Sequence, residues 1–165
     1  MTMRDILYID MDGVIADFEK AIKKLIPNLD ELPKNEREDA VDAACAVNRR
    51  IFLDLEVMPK SIFYVSILAR IYDVYFLSSP MSAVPESFTD KALWLQKRFG
   101  DFAKKRLILS HRKDLNIGSY LVDDRTANGA GAFTGEHIHI GTEKFPDWGT
   151  VFNYLIVKHQ EKETI

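Results

Sequence analysis

The chain of 165 residues has almost no cysteine: Cys45 stands alone. One thiol excludes an intrachain disulfide and favours a reducing compartment. Cys45 reads as a small core residue rather than a nucleophile. No apolar run approaches the roughly 20 residues of a membrane span. The N-terminus lacks the basic, apolar and small-residue pattern of a secretory signal, so the expected location is cytoplasmic. There is no excess of positive charge, with 22 Lys and Arg against 25 Asp and Glu. That balance argues against broad binding to a nucleic acid polymer or an anionic membrane. Repeats and low-complexity tracts are also missing. What remains is ordinary globular composition, 47% hydrophobic and 28% charged. Its length suits one domain with a real core and room for a small insertion.

Strand-like apolar runs alternate with helical patterns. The runs are Ile6–Ile9, Val74–Leu77, Leu107–Leu109, Tyr120–Val122 and His137–Ile140. Pro85–Phe99 reads as a helix, with Pro85 suited to its first turn and Gly100 to its stop. Its expected apolar stripe is Phe88, Ala92, Leu95 and Phe99. A last helix runs from about Trp148 to His159, and the polar tail Gln160–Ile165 is expected to fray. This alternation predicts a doubly wound, Rossmann-like α/β fold with a mainly parallel sheet covered on both faces. Its site belongs at the carboxyl ends of the strands.

About 60 residues separate the first two strands, too many for one crossover helix. They hold a helix near Phe18–Ile26 and a turn around Pro27–Pro33. A long helix follows from about Asn35, where Asn35 and Glu38 resemble a capping box, and another spans Ser61–Ile71. The charges between Asp30 and Asp42 read as a solvated helix face. Residues 17–58 are therefore expected to form a small helical cap, with 1–16 and 59–165 as the core. Met58-Pro59 marks the return.

The chemistry concentrates at strand ends. Asp10-Met11-Asp12-Gly13 closes the first strand, and a break at Gly13 can turn both acids toward one spot. Two carboxylates that close repel unless a cation lies between them or one is protonated. Such a pair suggests a divalent cation and one carboxylate free to attack. Ser78-Ser79-Pro80 ends the second strand, offering two hydroxyls to an oxyanion. Lys113 follows the third strand and can neutralise a phosphate or a carboxylate. Asp123-Asp124 ends the fourth, where adjacent acids are costly unless they bind metal or cap donors.

This ordered set resembles the haloacid dehalogenase (HAD) superfamily of phosphohydrolases, all four of whose short motifs are present. The segment Asp10-Met11-Asp12-Gly13-Val14-Ile15-Ala16-Asp17-Phe18 is similar to the signature of its 5′(3′)-deoxyribonucleotidases. Ser78-Ser79-Pro80, Lys91 with Trp94, Lys113 and Leu121-Val122-Asp123-Asp124-Arg125 agree with it. Vertebrate members usually have threonine in place of Ser78, and Arg-Asp-Lys in place of His111-Arg112-Lys113. The resemblance implies a nucleophile at Asp10 and an acid/base at Asp12. It implies Mg²⁺ held by Asp10, the Asp12 backbone carbonyl and Asp123, with Asp124 orienting from behind. Ser78, Ser79, Lys113 and Lys91 would hold phosphate, and Phe18 would stack on a base. Phe52 reads instead as packing within the cap, and His137 and His139 as structural or solvent-facing. The implied partner is a small phosphomonoester, a nucleoside monophosphate. Oligomeric state is left open, a homodimer included.

One alternative lies within the enzymes and two are of another class. A phosphatase of another small phosphomonoester, such as a sugar phosphate, would share every motif. A receiver-type phospho-acceptor would need its acidic pair after the first strand and its aspartate after the third. Here the third strand leads to Ser110-His111-Arg112-Lys113. An idle binding module would not need the full catalytic set.

Overall fold

A computed structural model describes residues 3–164. Among the described residues, five strands form one parallel sheet: β1 (Ile6–Ile9), β2 (Asp73–Ser78), β3 (Leu107–Leu109), β4 (Tyr120–Asp123) and β5 (Glu136–His139). Their order is β3-β2-β1-β4-β5, so β1 is central and the winding reverses beside it. A parallel sheet opens a crevice at such a reversal, outside the carboxyl ends of the strands. The helices are α1 (Phe18–Leu25), α2 (Lys34–Val47), α3 (Ser61–Leu68), α4 (Glu86–Phe99) and α5 (Trp148–Glu163). Among the described residues, no helix is long and apolar enough to cross a membrane.

The sheet is buried on both faces, which its continuous apolar runs require. Leu7, Ile9, Val74, Phe76 and Val122 pack with α3, α4 and α5 in the main core. Tyr8, Leu77 and Leu121 point the opposite way, against Ala130 and Phe133. The cover on that second face is thinner, a 3₁₀ turn over Ala130–Ala132 with Phe133 behind it.

Several local expectations shift. α5 continues through Glu163 rather than fraying at Gln160. Lys162 holds it there, donating to Asp5 Oδ2 at 2.6 Å while its ammonium stands 5.7 Å from the Tyr120 ring centre. Ile165 lies outside the described residues. α2 starts at Lys34 with Pro33 at its N-cap and no side-chain cap, so Asn35 and Glu38 form no capping box. β5 begins one residue early, at Glu136.

The stripe on α4 is also different. Its buried residues are Ser87, Asp90, Lys91, Trp94 and Leu95, whereas Phe88 is exposed. Burying an aspartate and a lysine is costly unless each is paired. Arg50 covers Asp90 at 2.7 Å, and Lys91 reaches Asp12.

Residues between β1 and α3 form α1, α2 and two 3₁₀ turns around a small apolar cluster of Ile22, Leu29 and Cys45, joined by Val84. Cys45 is fully buried, which pushes its thiol up to about 11. The two ends of this insertion run side by side. Asp17 N–H donates to Glu56 O at 2.8 Å, and Met58 N–H to Ile15 O at 2.9 Å. Trp94 Nε1–H donates to Leu55 O at 2.8 Å, tying the stem to α4.

Candidate active site

The site grows from the ends of β1 and β4. Asp10 continues the ladder, its N–H donating to Val122 O at 2.9 Å. The chain then turns tightly, with the N–H groups of Val14, Ile15 and Ala16 all directed at Met11 O. Gly13 sits in that turn at φ +77°, a conformation that costs a residue with a Cβ. The turn brings Asp12 round while Asp10 stays in the crevice.

Across the crevice, β4 ends in Asp123 and Asp124. One carboxylate oxygen each from Asp10, Asp123 and Asp124 lies within 4.8 Å of the others. Lys113, buried after β3, bridges two of these acids, 3.0 Å from Asp10 Oδ1 and 2.5 Å from Asp123 Oδ2. Burial would lower the Lys113 ammonium, but the charges of Asp10 and Asp123 outweigh it and hold it above the usual lysine range. Burial, reinforced by the charge of Asp10, pushes Asp123 up to about 6. The same causes, in the same order, push Asp124 up to about 6. Anions this crowded favour a cation among them.

Three side-chain atoms here are buried without a hydrogen-bond partner: Asp12 Oδ1, Ser78 Oγ and Asp124 Oδ1. Buried polar groups normally find partners, so each of these atoms can take a hydrogen bond or a ligand. An all-oxygen set of carboxylates fits a hard divalent cation such as Mg²⁺. Above the acids opens a cleft of about 1020 Å³, lined by Phe18, Ile22 and Val41 of the insertion and by Met81, Asp124 and Trp148 below. A second hollow of about 540 Å³ lies between α1 and residues 48–56 and holds none of these orphaned atoms.

A sequence profile described as 5′ nucleotidase, deoxy (Pyrimidine), cytosolic type C protein matches residues 27–145. The chain belongs to that family. A "Putative 5′(3′)-deoxyribonucleotidase" of Vibrio phage KVP40 is 45% identical over 93% of this chain and 86% of its own length. The human "5′(3′)-deoxyribonucleotidase, cytosolic type" is 27% identical over 71% of this chain and 69% of its own. Among solved structures, a haloacid dehalogenase-like hydrolase from Xanthomonas campestris matches with a TM-score of 0.56 at 10% identity, covering 98% of this chain and 100% of that one. A HAD hydrolase from Bacillus subtilis, solved with magnesium bound, matches with a TM-score of 0.55 at 13% identity over 88% and 90%. At these identities the likeness is one of fold, the Rossmann-like sheet of HAD hydrolases. The chain is thus an enzyme of the 5′-nucleotidase type, a phosphoric monoester hydrolase, and not a receiver-type signalling domain.

Within this member of the family the remaining residues fall as follows. Lys91 Nζ donates to Asp12 Oδ2 at 2.5 Å, where sequence reasoning directed it to phosphate. Its ammonium also lies 5.0 Å from the centre of the Phe52 ring. Phe52 stacks in turn on Phe18, 5.4 Å between centres and 3° from parallel. Phe52 is buried and Phe18 reaches the cleft. Ser78 and Ser79 part company: Ser78 Oγ is unpartnered, whereas Ser79 Oγ–H donates to Ser110 O at 2.7 Å. Arg112 grips Asp114, and His111 Nε2 bonds Pro80 O at 2.7 Å.

Sequence reasoning missed the burial of Asp90, which Arg50 pairs at 2.7 Å. Asp124, which the sequence places behind the metal ligands, brings one carboxylate oxygen within 4.8 Å of those of Asp10 and Asp123. Gly13 explains how Asp124 comes so close. A Cβ there would lie 2.2 Å from Asp124 Oδ2. Gly13→Ala is therefore expected to displace that carboxylate and strain the turn. Denaturant unfolding should show a loss of about 1–3 kcal/mol, and phosphate release should fall by about 10–100-fold.

Proposed function

We propose that this chain is a Mg²⁺-dependent phosphomonoesterase that dephosphorylates nucleoside monophosphates, deoxyribonucleotides foremost, through an aspartyl-phosphate on Asp10. One observation carries this reading. Asp10, Asp123 and Asp124 converge beneath a cleft whose insertion side sets Phe18, Ile22, Leu29 and Val41 among charged residues, Lys34 and Arg37 included. Residues 17–58 act as the cap that holds the nucleoside, with Phe18 stacked on the base. A monophosphate then meets the acids at the cleft floor.

Asp10, Asp123, the Asp12 carbonyl and, on this geometry, Asp124 would hold the metal. When bound, Mg²⁺ neutralises the acids and lets an anionic phosphate approach a carboxylate. Asp10 attacks phosphorus as the bond to the ester oxygen breaks. Asp12 gives that oxygen its proton, leaving a free alcohol. Asp12 then takes a proton from water, and the water oxygen displaces Asp10 from phosphorus. Lys91 occupies Oδ2 of Asp12, so Oδ1, buried and unpartnered, is the oxygen placed to exchange the proton. Ser78 Oγ–H and Lys113 hold the non-bridging phosphate oxygens, where charge accumulates. We place the activity in the cytoplasm, in keeping with the human relative named cytosolic type.

A phosphate-release panel tests the substrate. It should span deoxy- and ribonucleoside monophosphates, sugar phosphates and a generic aryl phosphate. The highest kcat/KM is expected for a deoxynucleoside monophosphate with a pyrimidine base. Faster turnover of a sugar phosphate than of every nucleotide would overturn the reading and leave a HAD phosphatase of another small phosphomonoester.

A further inference from the structure

Two histidines of β5 have no part in the chemistry above, yet both face the acid pair. His137 and His139 are two residues apart on a strand, so their rings lie on one side. They stack, 5.1 Å between centres and 17° from parallel. His137 Nε2 is 3.4 Å from Asp123 O, and His139 Nε2 is 2.9 Å from Asp124 O.

The two contacts are unequal. Asp123 is the last residue of β4, paired with His139, and its carbonyl already accepts from Ile140 N–H at 3.1 Å. Asp124 lies one step beyond the ladder, where the chain leaves the sheet. Its carbonyl has run out of strand, and the His139 imidazole supplies a side-chain rung in place of a backbone one. A carbonyl only accepts, so Nε2 of His139 carries the proton. Meanwhile the Asp124 carboxylate lies against Gly13, and its Oδ1 is buried without a partner.

We infer that His139 is a positioning residue for the metal site: its Nε2–H clamps the Asp124 carbonyl and thereby aims the Asp124 carboxylate at the point shared with Asp10 and Asp123. This rests on the Mg²⁺ reading of the site. Hydrogen bonds that hold the ligand-bearing backbone set metal affinity, and losing one typically weakens binding 10–100-fold.

Two substitutions separate the hydrogen bond from the ring. His139→Phe keeps a flat ring against His137 and removes the donor. His139→Gln removes the ring and keeps an N–H at the Nε2 distance. Calorimetric titration of the full chain with Mg²⁺ alone reads the affinity, and thermal unfolding in chelator checks the fold of each variant. The Mg²⁺ Kd of His139→Phe is expected to rise by about 10–100-fold, and that of His139→Gln to stay close to wild type. Unchanged affinity in His139→Phe would overturn the assignment. So would the reverse pattern, with Gln weak and Phe normal, because ring packing would then be the cause. A wild-type chain that bound no Mg²⁺ would overturn both this inference and the metal reading beneath it.

Discussion

Replacing Asp10 with asparagine is expected to abolish turnover, by about 10⁴–10⁶-fold, the scale of losing a covalent nucleophile. The amide oxygen is a far weaker nucleophile than a carboxylate. It also gives Lys113 a neutral neighbour in place of an anion at 3.0 Å. No phosphoenzyme should form, although substrate can still enter the cleft. Asp12→Asn should behave differently. It keeps the nucleophile and its own backbone carbonyl, and it removes the proton donor. Loss of general acid–base help is worth about 10²–10⁴-fold. An aryl phosphate needs little help from an acid, so it should still phosphorylate Asp10 slowly. The adduct should then persist, because no base activates water. Intact-mass measurement after mixing each variant with an aryl phosphate distinguishes the two. A phosphoryl adduct on Asp10→Asn would place the nucleophile elsewhere and require the mechanism to be redrawn.

Chelation is expected to have the second-largest effect, complete loss of hydrolysis with recovery on adding Mg²⁺. The cause is electrostatic. Asp10, Asp123 and Asp124 crowd within 4.8 Å, and the cations Lys113 and Arg125 cannot offset three acids and an arriving phosphate. The ion should stabilise the fold as well. At a hundred times its Kd a ligand adds about 2.7 kcal/mol, which for a chain of this size raises the melting temperature by about 5–10 °C. Asp123→Ala should act mainly by weakening metal binding, so excess Mg²⁺ should recover part of its activity. Full activity in a thoroughly chelated sample would refute the metal assignment.

Much of this protein is written locally in its sequence. β1 and β3 occupy Ile6–Ile9 and Leu107–Leu109, the spans their apolar runs mark out. Gly100 ends α4, as a glycine after a helical pattern should. The family is legible as well, because its motifs are short runs at strand ends: Asp10 to Phe18, Ser78-Ser79-Pro80, Lys113, Asp123-Asp124. Parallel topology then gathers them at one edge without any further instruction. What the sequence could not show is which side chains meet there. Lys91 and Asp12 are 79 residues apart, and they touch because α4 and the central strand share one core. Ser79 and Ser78 are adjacent, yet one is tied to Ser110 and the other is buried with its hydroxyl unpartnered. Asp124 joins the acidic cluster because Gly13 leaves room for it, and His139 reaches its carbonyl because β5 pairs with β4 in that register. Periodicity reports which face of each element is apolar, since every residue feels its near neighbours. Partners across the crevice are set by sheet order and register, which only the assembled core decides.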